Sequence, residues 1–225
     1  MIDKTVASLE QAVAGITDGA TVLVSGFGGS GIPGALLDAL LACGARDLTI
    51  VNNNAGNGDT GIAALIRAGA VRKVICSHPR SSNAEAFIEA YRAGKVELEC
   101  VPQGTLVERM RAAGAGLGPF FTPTAYGTAL AEGKETRKID GTGYVLEQPL
   151  RGDFALVKAH RADRWGNLVY RYAGRNFGPV MCTAARHTIV QVDEIVPLGT
   201  LMPEQVMTPG IFVHAVVQTG ERHAA

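Results

Sequence analysis

The sequence predicts an α/β fold, a mostly parallel open sheet flanked by helices, with an antiparallel hairpin inserted in the second half. Three observations carry this prediction. Short β-branched apolar runs alternate with helical segments of roughly 10–15 residues, the rhythm of βαβ units. Several of these runs are apolar at every position rather than every second one, as strands buried on both faces are. Capping patterns and single glycines mark where the helices start and stop.

The elements follow in order. Ser8-Leu9-Glu10-Gln11 has the form of a capping box ahead of a short apolar helical stripe. Thr21 to Ser25 is a buried strand, and Pro33 to Cys43 a helix that Gly44 stops. Leu48 to Val51 is the next strand, followed by a helix near 61–68 ended by Gly69. Val71 to Cys76 is a strand. Ser82-Asn83-Ala84-Glu85 is a capping box for a helix ending at Gly94. Val96 to Val101 is a strand, and Thr105-Leu106-Val107-Glu108 reads as a third capping box, for a helix ending near Gly114. The second half changes character. Lys138 to Leu146 is a hairpin with a glycine turn, Phe154 to Ala159 is a buried strand, and Asp163 to Asn167 is a tight turn into another. Asn176 to Pro179 opens a helix reaching about Arg186, and His187 to Val192 is a further buried strand. No linker or repeat divides the chain, so residues 1–225 are expected to form one domain.

Composition removes several classes of function. The formal net charge is +0, with no run of like charges, so neither nucleic acid nor an acidic membrane is an expected partner. No apolar stretch approaches the ~20 residues of a membrane span. The N-terminus lacks the pattern of a signal peptide. Cys43, Cys76, Cys100 and Cys182 are far apart and read as reduced, mostly buried thiols of a cytoplasmic protein.

The densest signal lies between Asp18 and Pro33, where a strand feeds a glycine loop that feeds a helix. Such an arrangement presents N–H groups and a positive dipole end to a phosphate, a carboxylate or a developing oxyanion. Gly26-Phe27-Gly28-Gly29-Ser30-Gly31 also fits G-x-G-x-x-G. A dinucleotide site, however, needs an acid at the end of the next strand, and that strand ends in Asn52-Asn53-Asn54. Three strand ends are expected on one rim: the glycine loop, Asn52 to Gly58, and Val101-Pro102-Gln103-Gly104.

Candidate chemistry on that rim is uncharged. The asparagines either satisfy their own loop or bind a ligand. The Gln103 amide either holds a loop or donates to a carboxylate or thioester oxygen. His78, His160, His187, His214 and His223 show no metal-ligand spacing and read as structural or exposed. Glu97 and Glu99 share a strand face expected to meet solvent, Glu108 is explained by its capping box, and Glu132 and Glu135 flank a solvated loop. No Ser-His-Asp order, nucleophile elbow or P-loop lysine appears. The residues describe a binding rim without a nucleophile, and no metal or permanently bound cofactor is implied.

Five segments in order resemble a known family. They are Gly26-Phe27 with Gly31-Ile32-Pro33; Asn53-Asn54-Ala55-Gly56; Val101 to Leu106; Phe121 to Thr128; and Asp163 to Leu168. The chain from about Lys4 to Val217 resembles the alpha component of family I CoA-transferases, most closely the 3-oxoadipate group. Ser25 and Ala125 stand where that family usually has glycine. The resemblance implies succinyl-CoA as donor and a 3-oxo acid as acceptor, with acetoacetate as the alternative to 3-oxoadipate. It implies covalent catalysis by a glutamate of a partner, the B (beta) subunit, in an AB or A2B2 assembly, so this chain carries no catalytic nucleophile. It assigns CoA binding to Val24, Ser25, Gly26, Phe27, Gly28, Gly29 and Ser30, and the substrate oxygens to Asn53, Asn54 and Gln103. Arg175, in a segment resembling the 3-oxoadipate group, is a candidate for the acceptor's second carboxylate. Two other classes stay open, a sugar-phosphate isomerase on a related fold and a CoA-binding module without turnover.

Overall fold

In a computed structural model of the protein, described for residues 2–81 and 83–220, seven parallel strands form a layer between two sets of helices. Helix α1 (Leu9–Val13) opens as expected, since Ser8 Oγ accepts from the Gln11 N–H at 3.2 Å. Then come β1 (Thr21–Val24), α2 (Gly34–Cys43), β2 (Leu48–Val51), α3 (Ile62–Arg67) and β3 (Val71–Cys76). They are followed by α4 (Glu85–Arg92), β4 (Glu97–Cys100) and α5 (Gln103–Gly114). A small antiparallel unit of β5 (Phe120–Thr122), β6 (Thr136–Ile139) and β7 (Thr142–Glu147) interrupts the pattern. The main sheet resumes with β8 (Gly152–Asp163), β9 (Leu168–Val169), α6 (Gly178–Ala184), β10 (Ala185–Val196) and β11 (Ala215–Gln218).

The strand order is β11-β10-β8-β1-β2-β3-β4, with β9 pairing antiparallel to β8. From β1 the chain moves outward to β2, β3 and β4, then returns to lay β8 on the other side of β1. The strand order therefore reverses between β1 and β8. Side chains alternate across the sheet into two cores. Val22 and Val24 pack with Leu36, Leu40, Leu65 and Phe87 on one side. Leu23 packs with Leu106, Met110 and Met181 on the other. Both faces are covered, which is why these strands are apolar at successive positions.

The hairpin forms as predicted, with Asp140 at φ 48° and Gly141 at φ 79°, the paired left-handed residues of a type I′ turn. Gly44 and Gly69 both take left-handed φ at helix ends. Among the described residues no helix is long and apolar enough to cross a membrane.

Several expectations need correction. The helix placed after Thr105 starts at Gln103, because Pro102 is extended and its carbonyl accepts from the Leu106 N–H at 2.8 Å. Thr105 therefore lies inside the first turn, buried, and caps nothing. Glu108 is not a capping residue either; it accepts from Arg111 at 2.8 Å. The proposed cap Ser82 lies outside the described residues, as does His223, while Ala84 stands at the N-cap of α4 without a side-chain bond. Helix α6 stops at Ala184, short of Arg186, because Ala185 turns extended and pairs with Gly152. Strands β8 and β10 are twice the predicted length, at 12 residues each, and β5 and β11 were not anticipated. Glu99 does not simply face water. It bridges Lys73 at 2.6 Å and Arg109 at 2.7 Å. Of the free cysteines only Cys76 and Cys182 are buried, and Cys43 is exposed.

Candidate functional site

The glycine loop leaves β1 beside β8, where the strand order reverses, which is the crevice in which open α/β sheets bind ligands. The loop is sewn down at its base. Ser25 is fully buried; its hydroxyl donates to the Gly31 carbonyl at 2.7 Å and accepts from the Lys158 N–H at 3.1 Å. A hydroxyl at this position therefore tightens the turn and is consumed within the protein. Gly26 has φ 122° and a Cβ there would collide with Ile32, so this position requires glycine. Phe27 and Ser30 exchange backbone hydrogen bonds at 3.0 and 3.1 Å around Gly28, whose φ is 57°, in the manner of a type II′ turn.

Loop and helix offer fewer open donors than the sequence suggests. The Gly26 N–H is taken by Asn176 Oδ1 at 3.1 Å, and the Leu36 N–H in the first turn of α2 by Gln191 Oε1 at 3.1 Å. Gly28 and Gly29, at the exposed tip, keep N–H groups that no described residue accepts from. Val24, Ser25 and Gly26 are buried at the base, while Phe27, Gly28, Gly29 and Ser30 are exposed.

The three predicted strand ends do meet, since β1, β2 and β4 run parallel. The asparagines divide the work. Asn52 is fully buried; its Nδ2 donates to the Val24 carbonyl at 2.8 Å, and its Oδ1 accepts from the Asn54 N–H at 2.9 Å. It joins the β2 end to the base of the glycine loop. Asn53 Oδ1 accepts from Gln103 Nε2 at 2.7 Å and from Ser77 Oγ at 2.8 Å. With its oxygen occupied, the Asn53 amide nitrogen has no acceptor among the described residues. Asn54 Oδ1 accepts from the Gly56 N–H at 3.0 Å, and its nitrogen is likewise unclaimed there. Gln103, exposed in the first turn of α5, has a second N–H beyond the one given to Asn53.

Cavities open on both sides of the loop. One of about 410 Å³ lies between Gly28, Gly29, Asp38, Asn54 and Thr60. Another, of about 400 Å³, lies between Ser30, Gly31, His160, Tyr170, Arg171 and Gly174. Gln103 faces a third of about 430 Å³, shared with Phe120 and Thr122 of the small sheet. Arg175 is exposed and does not line the crevice beside the loop. Ala125 has φ 71°, the conformation for which glycine is the natural residue.

No titratable group of the described residues hydrogen-bonds with the side chains of Asn53, Asn54 or Gln103. Burial pushes the Cys76 thiol, and that of Cys182, up to about 12, so both stay protonated at neutral pH. His160 pairs with Asp193 at 2.9 Å, and His187 stacks on His214 at 4.6 Å between ring centroids. Three residues that build the site escaped sequence reading: Ser77, Gln191 and Asn176. Ser77 and Gln191 end or interrupt apolar strands, and only their neighbours in space give them a role.

Residues 6–219 match the family described as Coenzyme A transferase. The chain belongs to that family. It is 64% identical over 217 residues to the A component of 3-oxoadipate CoA-transferase from Pseudomonas putida, covering 96% of this chain and 94% of that one. It is 49% identical over 215 residues to the A component of succinyl-CoA:3-ketoacid coenzyme A transferase from Xanthomonas campestris pv. campestris, covering 95% and 88%. Among solved structures, an acyl-CoA transferase apoenzyme from Escherichia coli O157:H7 superposes with a TM-score of 0.86 at 24% identity. That match covers 98% of this chain but 48% of the other, so this CoA-transferase chain spans about half of that protein's length. At that identity the likeness is one of fold.

Proposed function

We propose that this chain is the alpha component of a heteromeric CoA-transferase that moves CoA from succinyl-CoA to 3-oxoadipate, with the reacting glutamate supplied by a B partner. The observation that carries the reading is a rim of amide donors at Asn53, Asn54, Gln103 and the loop tip that hydrogen-bonds no carboxylate or thiolate among the described residues. Identity to the Pseudomonas putida protein supports the choice of 3-oxoadipate. The Xanthomonas relative favours acetoacetate as the second choice.

The chemistry explains such a division. The partner's glutamate carboxylate attacks the thioester carbonyl and expels CoA thiolate, leaving an acyl-glutamyl anhydride. The thiolate then attacks the glutamyl carbonyl, releasing succinate and forming a glutamyl-CoA thioester. The acceptor carboxylate attacks that thioester and again expels thiolate. Thiolate attack on the acceptor's acyl carbonyl yields the new acyl-CoA and frees the glutamate. Each addition places negative charge on a carbonyl oxygen. Preset amide donors are the group this step requires, and losing one costs on the order of 10²–10³ in rate. The Asn53 and Gln103 nitrogens would meet that oxyanion. Gly28 and Gly29 would let the thioester approach the backbone closely, with CoA along Val24 to Ser30.

The reading is tested by purifying the chain alone and with its B partner and assaying succinyl-CoA with 3-oxoadipate. Turnover is expected only in the pair, and faster than with acetoacetate. Transferase activity in the isolated chain, or turnover of a sugar phosphate by it, would overturn the reading. CoA binding by the pair without turnover would mark a binding module.

A further inference from the structure

The turn at residues 172–175 comes from far along the chain, yet it braces the glycine loop. Gly31 packs so close beneath it that a Cβ there would lie 2.5 Å from the Gly174 carbonyl oxygen. The turn is itself held in an uncommon shape, with Tyr172 at φ 49°. The Asn176 side chain closes the joint. Its Oδ1 accepts from the Gly26 N–H at 3.1 Å and the Phe177 N–H at 2.7 Å. Its Nδ2 donates to the Ser30 carbonyl at 3.0 Å and the Ala173 carbonyl at 2.7 Å. Gly26, at the buried base, and Ser30 are the two arms that flank the exposed tip. One planar amide thus fixes both arms, and the unclaimed N–H groups of Gly28 and Gly29 lie between them. The pattern needs a donor and an acceptor on one short planar group, which asparagine supplies.

We propose that Asn176 is a positioning residue for the acyl-CoA thioester: it presets the spacing of the loop tip and so governs thioester affinity rather than affinity for the carboxylic acid acceptor. This rests on the reading above, in which the loop receives the thioester. The physical basis is preorganisation, because a loop already fixed in its bound shape loses less conformational entropy on binding. Ser25 pins the base of the loop independently, so loss of the Asn176 clamp frees the tip without releasing the base.

The test uses the complex with the B partner and the variants Asn176→Ala and Asn176→Asp. Asn176→Ala is expected to raise KM for succinyl-CoA roughly tenfold, since two hydrogen bonds to the loop are lost. KM for the acceptor acid should stay within about twofold of wild type. Hydrogen exchange should accelerate at residues 26–31 while the strands keep their protection. Asn176→Asp keeps acceptors for Gly26 and Phe177 but turns a carboxylate oxygen toward the Ser30 and Ala173 carbonyls, so its succinyl-CoA KM should rise at least as much; it also serves if Asn176→Ala fails to assemble. An unmoved succinyl-CoA KM, equal rises in both KM values, or unchanged exchange at 26–31 would each overturn the proposal. A wild-type complex without succinyl-CoA turnover defeats the functional reading instead. Normal wild-type turnover with unmoved KM in the variants defeats this proposal alone.

Discussion

Single residues of the rim differ in what they can reveal, because some are bound into the fold and others are open. Gly29 has ordinary φ and nothing within 4 Å of where a Cβ would sit. Gly29→Ala should therefore leave melting temperature within a degree or two, while on the present reading activity falls at least tenfold because a methyl now meets the ligand. Normal succinyl-CoA kinetics in that variant would remove the loop tip from the binding site. Gln103→Ala is the matching test of the oxyanion donor. It should lower kcat on the order of 10²-fold with the two proteins still associated, and an unchanged kcat would assign Gln103 to loop structure only. Ala125 makes the opposite kind of prediction. A non-glycine residue in the left-handed region costs about 1 kcal/mol, so Ala125→Gly should raise the unfolding free energy by roughly that amount, less the entropy that glycine adds to the unfolded chain. Chemical denaturation measures it, and a destabilised variant would contradict it.

At the scale of elements, ion pairs tie the small antiparallel sheet to the main one. Glu99 on β4 accepts from Arg109 on α5, whose Nε donates to the Gln148 carbonyl at 2.8 Å and pairs with Glu147 on β7 at 3.9 Å. Burial pushes the Glu99 carboxyl up, but hydrogen bonds from Arg109 and Lys73 outweigh it and leave the group below its usual 4.5. A carboxyl depressed in the fold contributes stability that is complete above its unfolded value and lost as pH falls through the folded one. At the other edge, His214 Nδ1 accepts from the Thr188 N–H at 3.0 Å, which requires a neutral ring. Burial, and for His214 the neighbouring His187, holds both imidazoles below 6.5. Their contribution is present above that pH and is lost on acidification below it. Melting temperature should thus decline in two stages, the first below about pH 6.5 and the second below about pH 4.5. His187→Gln should shrink the first stage and Glu99→Gln the second. A flat profile down to pH 4 would refute the first assignment.

The same scale shows what could be read in advance. Strands buried on both faces announce themselves by composition, so β1, β2 and β3 were legible, as was a hairpin with a glycine turn in 138–146; only the structure selects Asp140-Gly141 as that turn. Thr105 misled because Thr-x-x-Glu is a capping pattern only where the preceding residues are not yet helical, and Pro102, at the N-cap, starts α5 three residues early. Strand β11 was invisible because Ala215 and Gln218 leave only Val216 and Val217 as strand formers in its four residues. At the site, Asn53, Asn54 and Gln103 stood out because polar residues cluster at strand ends. Their division into claimed and unclaimed amide atoms depends on Ser77, and the rigidity of the loop on Asn176, both far away in sequence.

On the proposed reading the whole molecule supplies half an active site. The sheet reverses its order between β1 and β8, the glycine loop occupies that point, and the asparagine and glutamine ends converge beside it. The carboxylates of Asp38 and Glu108 line cavities beside the rim without hydrogen-bonding its amides, Glu108 being held by Arg111; on the proposed reading the group that forms covalent bonds comes from the partner. The most direct measurement is the intact mass of each chain after the complex with the B partner is mixed with succinyl-CoA and no acceptor acid. The partner chain is expected to gain one CoA as a thioester, with succinate released, while the mass of this chain stays unchanged. A covalent CoA or succinyl adduct on this chain would contradict the split site.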